Sequence, residues 1–396
     1  MKNTISIKRY TKIILNNNLK TYLNPKYVFL KIGKNTKLKV KDGSYVYKND
    51  IVMINKNGYT VHSSVSGIVL GIKDVDYVNG RYTSLVIEND FKENVRIRKS
   101  AKRNICDYSK EDVLSLFEDF SLNYSDKKLK EIFDQEYDTL IVNGLDKEIY
   151  FGNRYFTLRE NSSSILETMD FLSMVFKYKK TILAISNTDS KIINSFMDII
   201  GTYPNIELRL LQDEYPLGFN DYLQEHLGYT NSLILGVEKL VDIYNVLKKN
   251  QPITEKVITI SGSGVEPKAC INVKAGSLLS EVFINNFDFT IKNVEVYLNG
   301  LIHGKIINSL QYVIDEDVDG ILIMKKEEKQ EGECLNCGLC HKKCPKGLNP
   351  KYVADHQGKV RYEYKDGCLK CGLCNYVCPQ NRDLLKYMEE VEKSEQ

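Results

Sequence analysis

Two twelve-residue stretches, CLNCGLCHKKCP at 334–345 and CLKCGLCNYVCP at 368–379, contain eight of the ten cysteines in this chain. Each reads C-x2-C-x2-C-x3-C-P, a spacing at which thiolates hold 4Fe-4S clusters. In proteins with two such clusters, the fourth cysteine of each run serves the other cluster. The spacing therefore predicts two ligand sets: Cys334, Cys337, Cys340 and Cys378 for one cluster, and Cys368, Cys371, Cys374 and Cys344 for the other.

Zinc is the alternative for these cysteines. A zinc site joins two C-x2-C pairs into one tetrahedron and needs neither a third cysteine in the run nor a repeated Cys-Pro exit. Disulfide scaffolds are small secreted chains, whereas clustered cysteines in 396 residues indicate metal binding in a reducing compartment. Cys106 and Cys270 lie outside both stretches, and we predict that they are buried thiols without a function.

Helix signals flank both cysteine stretches. Asn349 is a candidate N-cap with Pro350 at the first helical position, which predicts a short helix after the first stretch. Leu384, Leu385 and Met388 follow the second stretch at helical spacing. We therefore predict a helical dicluster module of the ferredoxin type at 330–396.

The front of the chain reads as short strands separated by turns. Turn dipeptides recur at 42–43, 49–50, 57–58 and 79–80, a spacing typical of a small all-β module. The phrases VKDGSYVYKNDIV and VHSSVSGIVLGI resemble the biotinyl/lipoyl-like barrel-sandwich hybrid. We predict such a module at 1–100, and we interpret Lys56 as an exposed turn residue, not as a carrier lysine.

The middle of the chain alternates strands and helices. Apolar strands at 137–144, 179–186 and 206–211 are separated by helical stretches, the first with a candidate cap among Ser162, Ser163 and Ser164. This order predicts an α/β domain with an open parallel sheet at 105–250. Ligands bind at the carboxyl ends of such strands, here NGLDKEIY after the first strand and QDEYPLGFND after the third.

Short strands return at 255–325, around a helix at SLLSEVF. This pattern predicts a β-grasp-like unit. Gly262 and Gly264 raise the alternative of a phosphate-binding loop, but no helix and no Lys-Ser/Thr pair follows them. We expect a turn at the end of a strand.

Charge and hydropathy narrow the function classes. The formal net charge of +3 shows no basic bias that would favour nucleic-acid binding. No apolar run reaches the length of a membrane span, and no signal peptide is evident. We therefore expect a cytoplasmic protein without a transmembrane segment, which could associate peripherally with the inner face of the cell membrane through a partner.

Taken in order, these modules resemble the C subunit of the Rnf electron-transport complex and its soluble relatives, including the proline reductase-associated electron-transfer protein. The resemblance rests on VHSSVSGIV, on DTLIVNG, on ISGSGVEPKACINVKAGSLL, which is similar to the family's soluble-ligand-binding β-grasp (SLBB) segment, and on both cysteine stretches. It implies that 105–250 is similar to the flavin- and NADH-binding domain of the complex I flavoprotein. Of the family phrase NGAECEPY, Asn143, Gly144, Glu148 and Tyr150 remain.

The chain departs from the family where the family binds FMN. The family's glycine-rich GLGGAGFP loop is replaced at 120–140 by a segment without glycine, in which Tyr124, Lys127 and Lys128 would crowd a flavin phosphate. Asp146 and Lys147 are substituted, YPQGGEK has become YPLGFND, and GGPMMG has become NGLIHG. Lys127 and Lys128 could still grip a phosphate from a rearranged loop. The departures favour loss of the flavin and nucleotide site.

Three functions remain open at this point. The first is an electron-transfer protein that relays single electrons through two 4Fe-4S clusters to redox partners, either Rnf subunits or a reductase such as proline reductase, in an anaerobe. The second is an FMN-containing, NADH-oxidising subunit of a membrane Rnf complex. The third is a scaffold in which the clusters only brace the C-terminal region. Whether the chain is an enzyme depends on the choice between the first two.

Overall fold

Three sheet-containing units and a small helical unit follow one another along the chain. The computed structural model describes residues 5–6, 19–96, 104–124, 127–327, 330–357 and 367–393. None of the helices in these ranges is both long and apolar enough to cross a bilayer. The predicted mixed, multidomain α+β class is confirmed, whereas the domain limits given above remain predictions.

The first unit consists of two antiparallel sheets that enclose one apolar core. Its sheets have the orders β3-β9-β8-β5 and β4-β6-β7, and both contribute side chains such as Val28, Val52 and Val69 to the core. The strands in this part of the chain are β1 Ile5–Ser6, β2 Lys20–Tyr22, β3 Tyr27–Lys31, β4 Thr36–Leu38, β5 Tyr45–Val46, β6 Ile51–Asn55, β7 Thr60–His62, β8 Gly67–Tyr77 and β9 Gly80–Asn89. Strand β2 joins the sheet of the third unit instead.

The second unit is built on a four-stranded parallel sheet with the order β14-β13-β12-β16. Its strands are β10 Asn123–Tyr124, β11 Lys127–Lys128, β12 Thr139–Asn143, β13 Lys180–Ser186, β14 Ile206–Leu211, β15 Glu214–Tyr215 and β16 Ser232–Gly236. A 3-10 turn at Ile105–Asp107 precedes the helices α1 Lys110–Asp119, α2 Leu129–Phe133, α3 Asn153–Phe176, α4 Ser190–Ile200, α5 Asn220–Leu227 and α6 Val237–Lys249. The chain order reverses between β12 and β16, so the loops after these two strands flank the switch point at which such sheets bind ligands.

The predicted parallel sheet is confirmed, but two details of this unit were wrong. The five-residue strand β16 was not predicted, because it runs directly into α6 without a turn signal. The predicted cap at Ser162–Ser164 lies inside α3, which begins nine residues earlier, at Asn153. Asn161 interrupts the helix with φ −131° and ψ 21°, and its side chain donates to the Thr157 carbonyl. One kinked helix therefore stands where a new helix start was expected.

The third unit has a six-stranded mixed sheet with the order β2-β19-β17-β23-β21-β22. Its elements are β17 Glu255–Ser261, β18 Val265–Glu266, β19 Ala269–Lys274, α7 Leu279–Asn286, β20 Asp288–Phe289, β21 Val294–Leu298, β22 Lys305–Ile307 and β23 Gly320–Lys325. The first and last of its own long strands, β17 and β23, are parallel neighbours. Gly262 turns at the end of β17 with φ 123°, as expected for a strand-end turn. The SLBB assignment stays a prediction.

Within its described residues, 330–357 and 367–393, the last unit contains four short helices: α8 Leu339–Lys342, α9 Pro350–Asp355, α10 Leu373–Tyr376 and α11 Leu384–Lys393. The predicted cap is confirmed, because the Asn349 side chain accepts from the Tyr352 N–H and Pro350 opens α9. Val353 of α9 packs against Met388 of α11, so the two flanking helices hold each other.

The two cysteines outside the motifs differ in their surroundings. Cys270, on β19, is fully buried, as predicted, and burial raises the pKa of its thiol to about 12. Cys106 is exposed, so the prediction of a buried thiol was wrong there. In the short 3-10 turn at Ile105–Asp107, Ile105 is the residue that enters the core, and its neighbour Cys106 faces outward.

Candidate metal centre

Each cysteine stretch folds as a tight loop followed by a single helical turn. The loop of the first stretch passes through left-handed backbone at Asn336 (φ 52°) and Gly338 (φ 68°), and the second repeats this at Lys370 (φ 51°) and Gly372 (φ 69°). Left-handed backbone reverses the chain direction over few residues, and glycine adopts it without strain. The three cysteines at i, i+3 and i+6 are thereby wrapped onto the inside of one loop.

Backbone amides already point at sulfur in both loops. The Asn336 N–H donates to Cys334 Sγ at 3.4 Å, and the Lys370 N–H donates to Cys368 Sγ at 3.4 Å. Hydrogen bonds of this kind favour the ionised thiolate, the form that binds iron. The two loops share this feature at the same motif position.

Four thiols from both stretches meet in one cavity. Cys334, Cys337 and Cys340 of the first stretch line it together with Cys378 of the second, and Lys351 and Arg382 complete its wall. We call these four cysteines the outer group, because Cys337 is exposed and the neighbouring Leu335 is 61% exposed.

The remaining four thiols form a second, more buried set, which we call the inner group. It consists of Cys344 from the first stretch with Cys368, Cys371 and Cys374 from the second. Burial raises the pKa of the Cys371 thiol to about 12, and the nearby Cys344 and Cys368 thiols raise it further. Burial also raises the pKa of Cys374, and the Cys371, Cys368 and Cys344 thiols add to that effect. Mutual influence of this kind requires that the four thiols lie close together.

The donor set fits two 4Fe-4S clusters. All eight donors are thiols, the soft ligand that such iron takes, and each group draws three cysteines from one stretch and one from the other. The structure therefore brings together the two sets that the spacing predicts, whereas iron binding by them stays a prediction. Across the described ranges, no three His, Cys, Asp or Glu side chains converge tightly enough to hold a single metal ion. That finding concerns single ions, since a cube spreads its ligands over four corners.

The inner group lies against the carboxyl edge of the parallel sheet. The Tyr215 hydroxyl, just beyond β14, donates to the Cys371 carbonyl. Gly372 packs so closely on the 299–304 turn that a Cβ there would lie 1.8 Å from the Ile302 carbonyl oxygen. Cys371 and Leu373 share an apolar cluster with Ile149, Tyr215 and Ile302. The position at which an open parallel sheet binds its ligand is thus covered by the second cysteine stretch.

NGLDKEIY, the loop after β12, is held by contacts within the protein. The Asn143 amide donates to the Leu217 and Gly218 carbonyls at 3.3 and 3.2 Å. The Glu148 carboxylate accepts from the Ile302 N–H at 3.0 Å and lies 3.4 Å from His303 Nδ1. Glu148 and Asn143, two of the residues kept from the family phrase, therefore fix the loops around the sheet edge to one another.

Carboxylates of this chain occupy the starts of both helices at the switch point. Asp146 accepts from the Arg154 N–H at 2.8 Å, in the first turn of α3. Glu238 lies in the first turn of α6, where a Cβ on Gly236 would be 2.1 Å from its Oε1. A helix N-terminus is the usual place for a phosphate in such sheets. Here both N-termini already face negative charge.

The Arg154 guanidinium at this sheet edge is also hydrogen-bonded within the protein. Arg154, which is 4% exposed, donates to both oxygens of Glu238 at 3.0 and 3.1 Å and to the Leu145 and Gly218 carbonyls. A flavin phosphate at this edge would meet two carboxylates and a guanidinium that is already paired. The edge as it stands does not fit that group. Sequence reasoning found neither Arg154 nor Glu238, because no local motif connects two residues 84 positions apart.

The segment without glycine packs against the first unit. Strands β10 and β11 form a small hairpin whose residues 125–126 lie outside the described ranges, as does the Tyr124 side chain. The Lys128 ammonium donates to the Asn57 carbonyl at 2.7 Å and lies over the Tyr59 ring. Lys128 is therefore directed at the first unit, and Lys127 is exposed.

Two family models match the chain. The RnfC barrel-sandwich hybrid domain matches residues 8–92, and the Nuo51 FMN-binding domain matches residues 124–231. The C subunit of the proton-translocating ferredoxin:NAD(+) oxidoreductase complex of Clostridium ljungdahlii is 24% identical over 341 residues, which span 80% of this chain and 73% of the relative. The chain is RnfC-like: its N-terminal module matches the RnfC domain, and most of its length is similar to the C subunit of such a complex.

A further relative and two solved structures are also similar to this chain. The RnfC-like chain is 24% identical over 345 residues to the C subunit of the ion-translocating oxidoreductase complex of Buchnera aphidicola subsp. Acyrthosiphon pisum, and the match covers 81% of this chain and 72% of the relative. Two crystal structures of NAD+-reducing [NiFe]-hydrogenase, H2-reduced and air-oxidised, match with TM-scores of 0.50 and 0.51 at 13% and 11% identity. They cover 62% and 70% of this chain and 52% and 62% of the hydrogenase chains, and they show a shared fold alone.

Proposed function

We propose that this RnfC-like chain is an electron-transfer subunit that relays single electrons through two 4Fe-4S clusters. One cluster would be held by the outer group and the other by the inner group. The observation that carries the proposal is the crosswise assembly of thiols, in which Cys378 completes the set of the first stretch and Cys344 completes that of the second. Two clusters are close neighbours when each cysteine stretch supplies one ligand to the cluster of the other stretch, and this proximity suits rapid transfer of single electrons.

The clusters would supply the one-electron chemistry, and the protein residues set their surroundings. The apolar cluster around Leu373 shields Cys371 of the inner group from water, while the exposed Cys337 leaves the outer group open to a partner. Lys351 and Arg382 beside the outer group place positive charge where an added electron would reside. Reduction potentials respond to such differences in exposure and charge.

The partner would be a redox protein. The curated relatives are named as subunits of ion-translocating or proton-translocating oxidoreductase complexes, which supports Rnf subunits as partners of this chain. A soluble reductase such as proline reductase is the other partner that we propose, because a chain without its own flavin needs electrons from another carrier. In either case we propose a cytoplasmic location, peripheral to the inner face of the membrane where Rnf subunits are the partners.

A second candidate function is oxidation of NADH through FMN. The match of residues 124–231 to an FMN-binding domain favours it. The carboxylates at the starts of α3 and α6 favour the relay without flavin. Denaturing anaerobically purified protein and measuring FMN in the supernatant distinguishes the two. Stoichiometric FMN together with NADH-dependent dye reduction would establish the second function and refute a flavin-free relay.

The cluster assignment is tested by iron content and single cysteine variants. Wild-type protein should contain about eight irons and eight acid-labile sulfides. Cys378→Ala should lose the cluster of the first stretch, although Cys378 lies 38 residues beyond Cys340. Cys106→Ala, which changes an exposed cysteine outside both groups, is the matched control and should keep all eight irons. Loss of the second stretch's cluster in Cys378→Ala, or wild-type iron far below eight, would refute the assignment.

A further inference from the structure

One side chain of the α/β unit reaches the inner group directly. Tyr215 lies in β15, which pairs with β1 just beyond the carboxyl edge of the parallel sheet. Tyr215 is 5% exposed, and its ring contacts the Phe219 ring edge-on at a centroid distance of 5.8 Å. Its hydroxyl donates to the carbonyl of Cys371, the most buried of the four inner cysteines.

We propose that Tyr215 is a positioning residue for the inner cluster. Its hydroxyl anchors the inner cysteine loop to the edge of the parallel sheet and stabilises the reduced state of the cluster. This inference rests on the proposed function, since it requires a cluster on the inner group. It assigns a role to a residue that belongs to neither cysteine stretch.

The direction of the effect follows from the hydrogen bond. The Cys371 carbonyl places partial negative charge beside the ligand sulfur, and the hydroxyl proton offsets that charge. The reduced cluster carries one more negative charge than the oxidised cluster, so the donor stabilises the reduced form. A tyrosine hydroxyl ionises only at about pH 10 in water, so the Tyr215 hydroxyl is a neutral donor at physiological pH.

Geometry restricts this influence to the inner cluster. The corresponding cysteine of the first stretch, Cys337, is exposed, and the outer group is bordered instead by Lys351 and Arg382. Gly372, next to Cys371, packs closely on the Ile302 carbonyl, so the inner loop has a second contact with the rest of the protein beside the Tyr215 hydrogen bond. Removing the Tyr215 hydroxyl should therefore change one cluster and leave the other unaltered.

The test is a potentiometric titration of the anaerobically reconstituted full-length protein, followed by electron paramagnetic resonance. Tyr215→Phe should lower the midpoint potential of the inner cluster by at least about 28 mV. This value corresponds to a threefold change in the equilibrium constant of reduction, at 59 mV per tenfold change. Tyr376→Phe removes the same group from a tyrosine that is 48% exposed and lies within the second cysteine stretch, and it should shift neither midpoint. Arg382→Gln should lower the outer midpoint and so identifies which transition is which.

Three results would overturn the inference. The first is an unchanged inner midpoint potential in Tyr215→Phe, and the second is an equal change of that potential in Tyr376→Phe. The third is that Tyr215→Phe changes the midpoint potential of the same transition that Arg382→Gln changes. If Tyr215→Phe loses iron, 3-fluorotyrosine at position 215 decides at pH 7, because it stays protonated there and its stronger donor should raise the midpoint potential of the inner cluster. An unchanged midpoint potential refutes the role. The proposed function fails separately, if wild-type protein lacks the clusters. Wild-type protein with eight irons and an inner midpoint insensitive to position 215 would refute only this inference.

Discussion

Gly338 and Gly372 occupy the same position in the two cysteine stretches and provide a matched pair of substitutions. Their φ angles are 68° and 69°, so alanine meets the same left-handed backbone at both. Their surroundings differ. A Cβ on Gly338 would have no atom within 4 Å, whereas a Cβ on Gly372 would lie 1.8 Å from the Ile302 carbonyl oxygen. The difference between the two variants therefore measures how the inner loop is docked on the 299–304 turn.

The expected magnitudes follow from these contacts. Left-handed backbone costs alanine about 1–2 kcal/mol, and this is all that Gly338→Ala should lose. Gly372→Ala must also move the loop away from Ile302 by about 1.2 Å to reach a 3.0 Å separation. That movement loosens Leu373 and Ile302, which are 1% and 5% exposed, and full burial of one such side chain contributes about 1.5–3 kcal/mol. We expect Gly372→Ala to lose about 2.5–5 kcal/mol in total, of which the strain of the left-handed backbone is shared with Gly338→Ala.

Hydrogen–deuterium exchange of the peptide containing 299–304 measures this docking in the cluster-loaded protein. A difference of about 2 kcal/mol between the variants corresponds to roughly 30-fold faster exchange in Gly372→Ala than in Gly338→Ala. Iron content of both variants serves as the control that the clusters are present. Equal exchange of the 299–304 turn in the two variants would refute the docking geometry, because the shared backbone strain would then account for both.

Two further predictions concern stability. Burial, with a smaller contribution from Asp317, raises the pKa of Asp315 from 3.8 to about 6. Protonated Asp315 therefore adds to the free energy of unfolding in full below about pH 4, and this contribution is lost as the pH rises through 6. Asp315→Asn should flatten the stability profile between pH 4 and 6 and add roughly 1–3 kcal/mol at pH 7, measured by urea unfolding; an unchanged profile would contradict the shift. Lys274, which is 1% exposed, pairs with Glu93 and Glu255, and both carboxylates also pair with Lys48. Lys274→Ala should cost about 1–3 kcal/mol, because the carboxylates keep Lys48 but lose the more buried of these two ammonium groups together with its packed side-chain stem. The exposed pair partner Lys179 gives the control, where alanine should cost less than about 1 kcal/mol, and similar thermal unfolding of both variants would disprove the difference.

Much of the local structure was predictable because its signals are short. Asn349 and Pro350 announce a helix start within two residues, and the structure shows that cap. The alternating strands and helices of the middle region predicted the parallel sheet. Strand β16 was not predicted, because the five residues SLILG run straight into a helix and give no boundary signal. The pattern also indicated a helix start at Ser162–Ser164, because a kink within one helix resembles a new beginning.

At the candidate metal centre, too, some features could be predicted from the sequence and others could not. The spacing of the eight cysteines determined their grouping, since a loop of seven residues can present three thiols only to one centre. The spacing could not determine which group would be buried, because that depends on what the rest of the chain places beside each loop. Tyr215 and Ile302 are separated from Cys371 by 156 and 69 residues, and no local pattern connects such positions.

The candidate cluster ligands of this protein could therefore be predicted from the sequence alone, because ligand type and spacing are local properties of the chain. The asymmetry between its two centres was decided by the fold. Only the packed sheet edge and the 299–304 turn distinguish two cysteine stretches that are almost identical as sequences. They bury Cys371 and Leu373 of the second stretch, while Cys337 and Leu339, at the same positions of the first stretch, remain exposed.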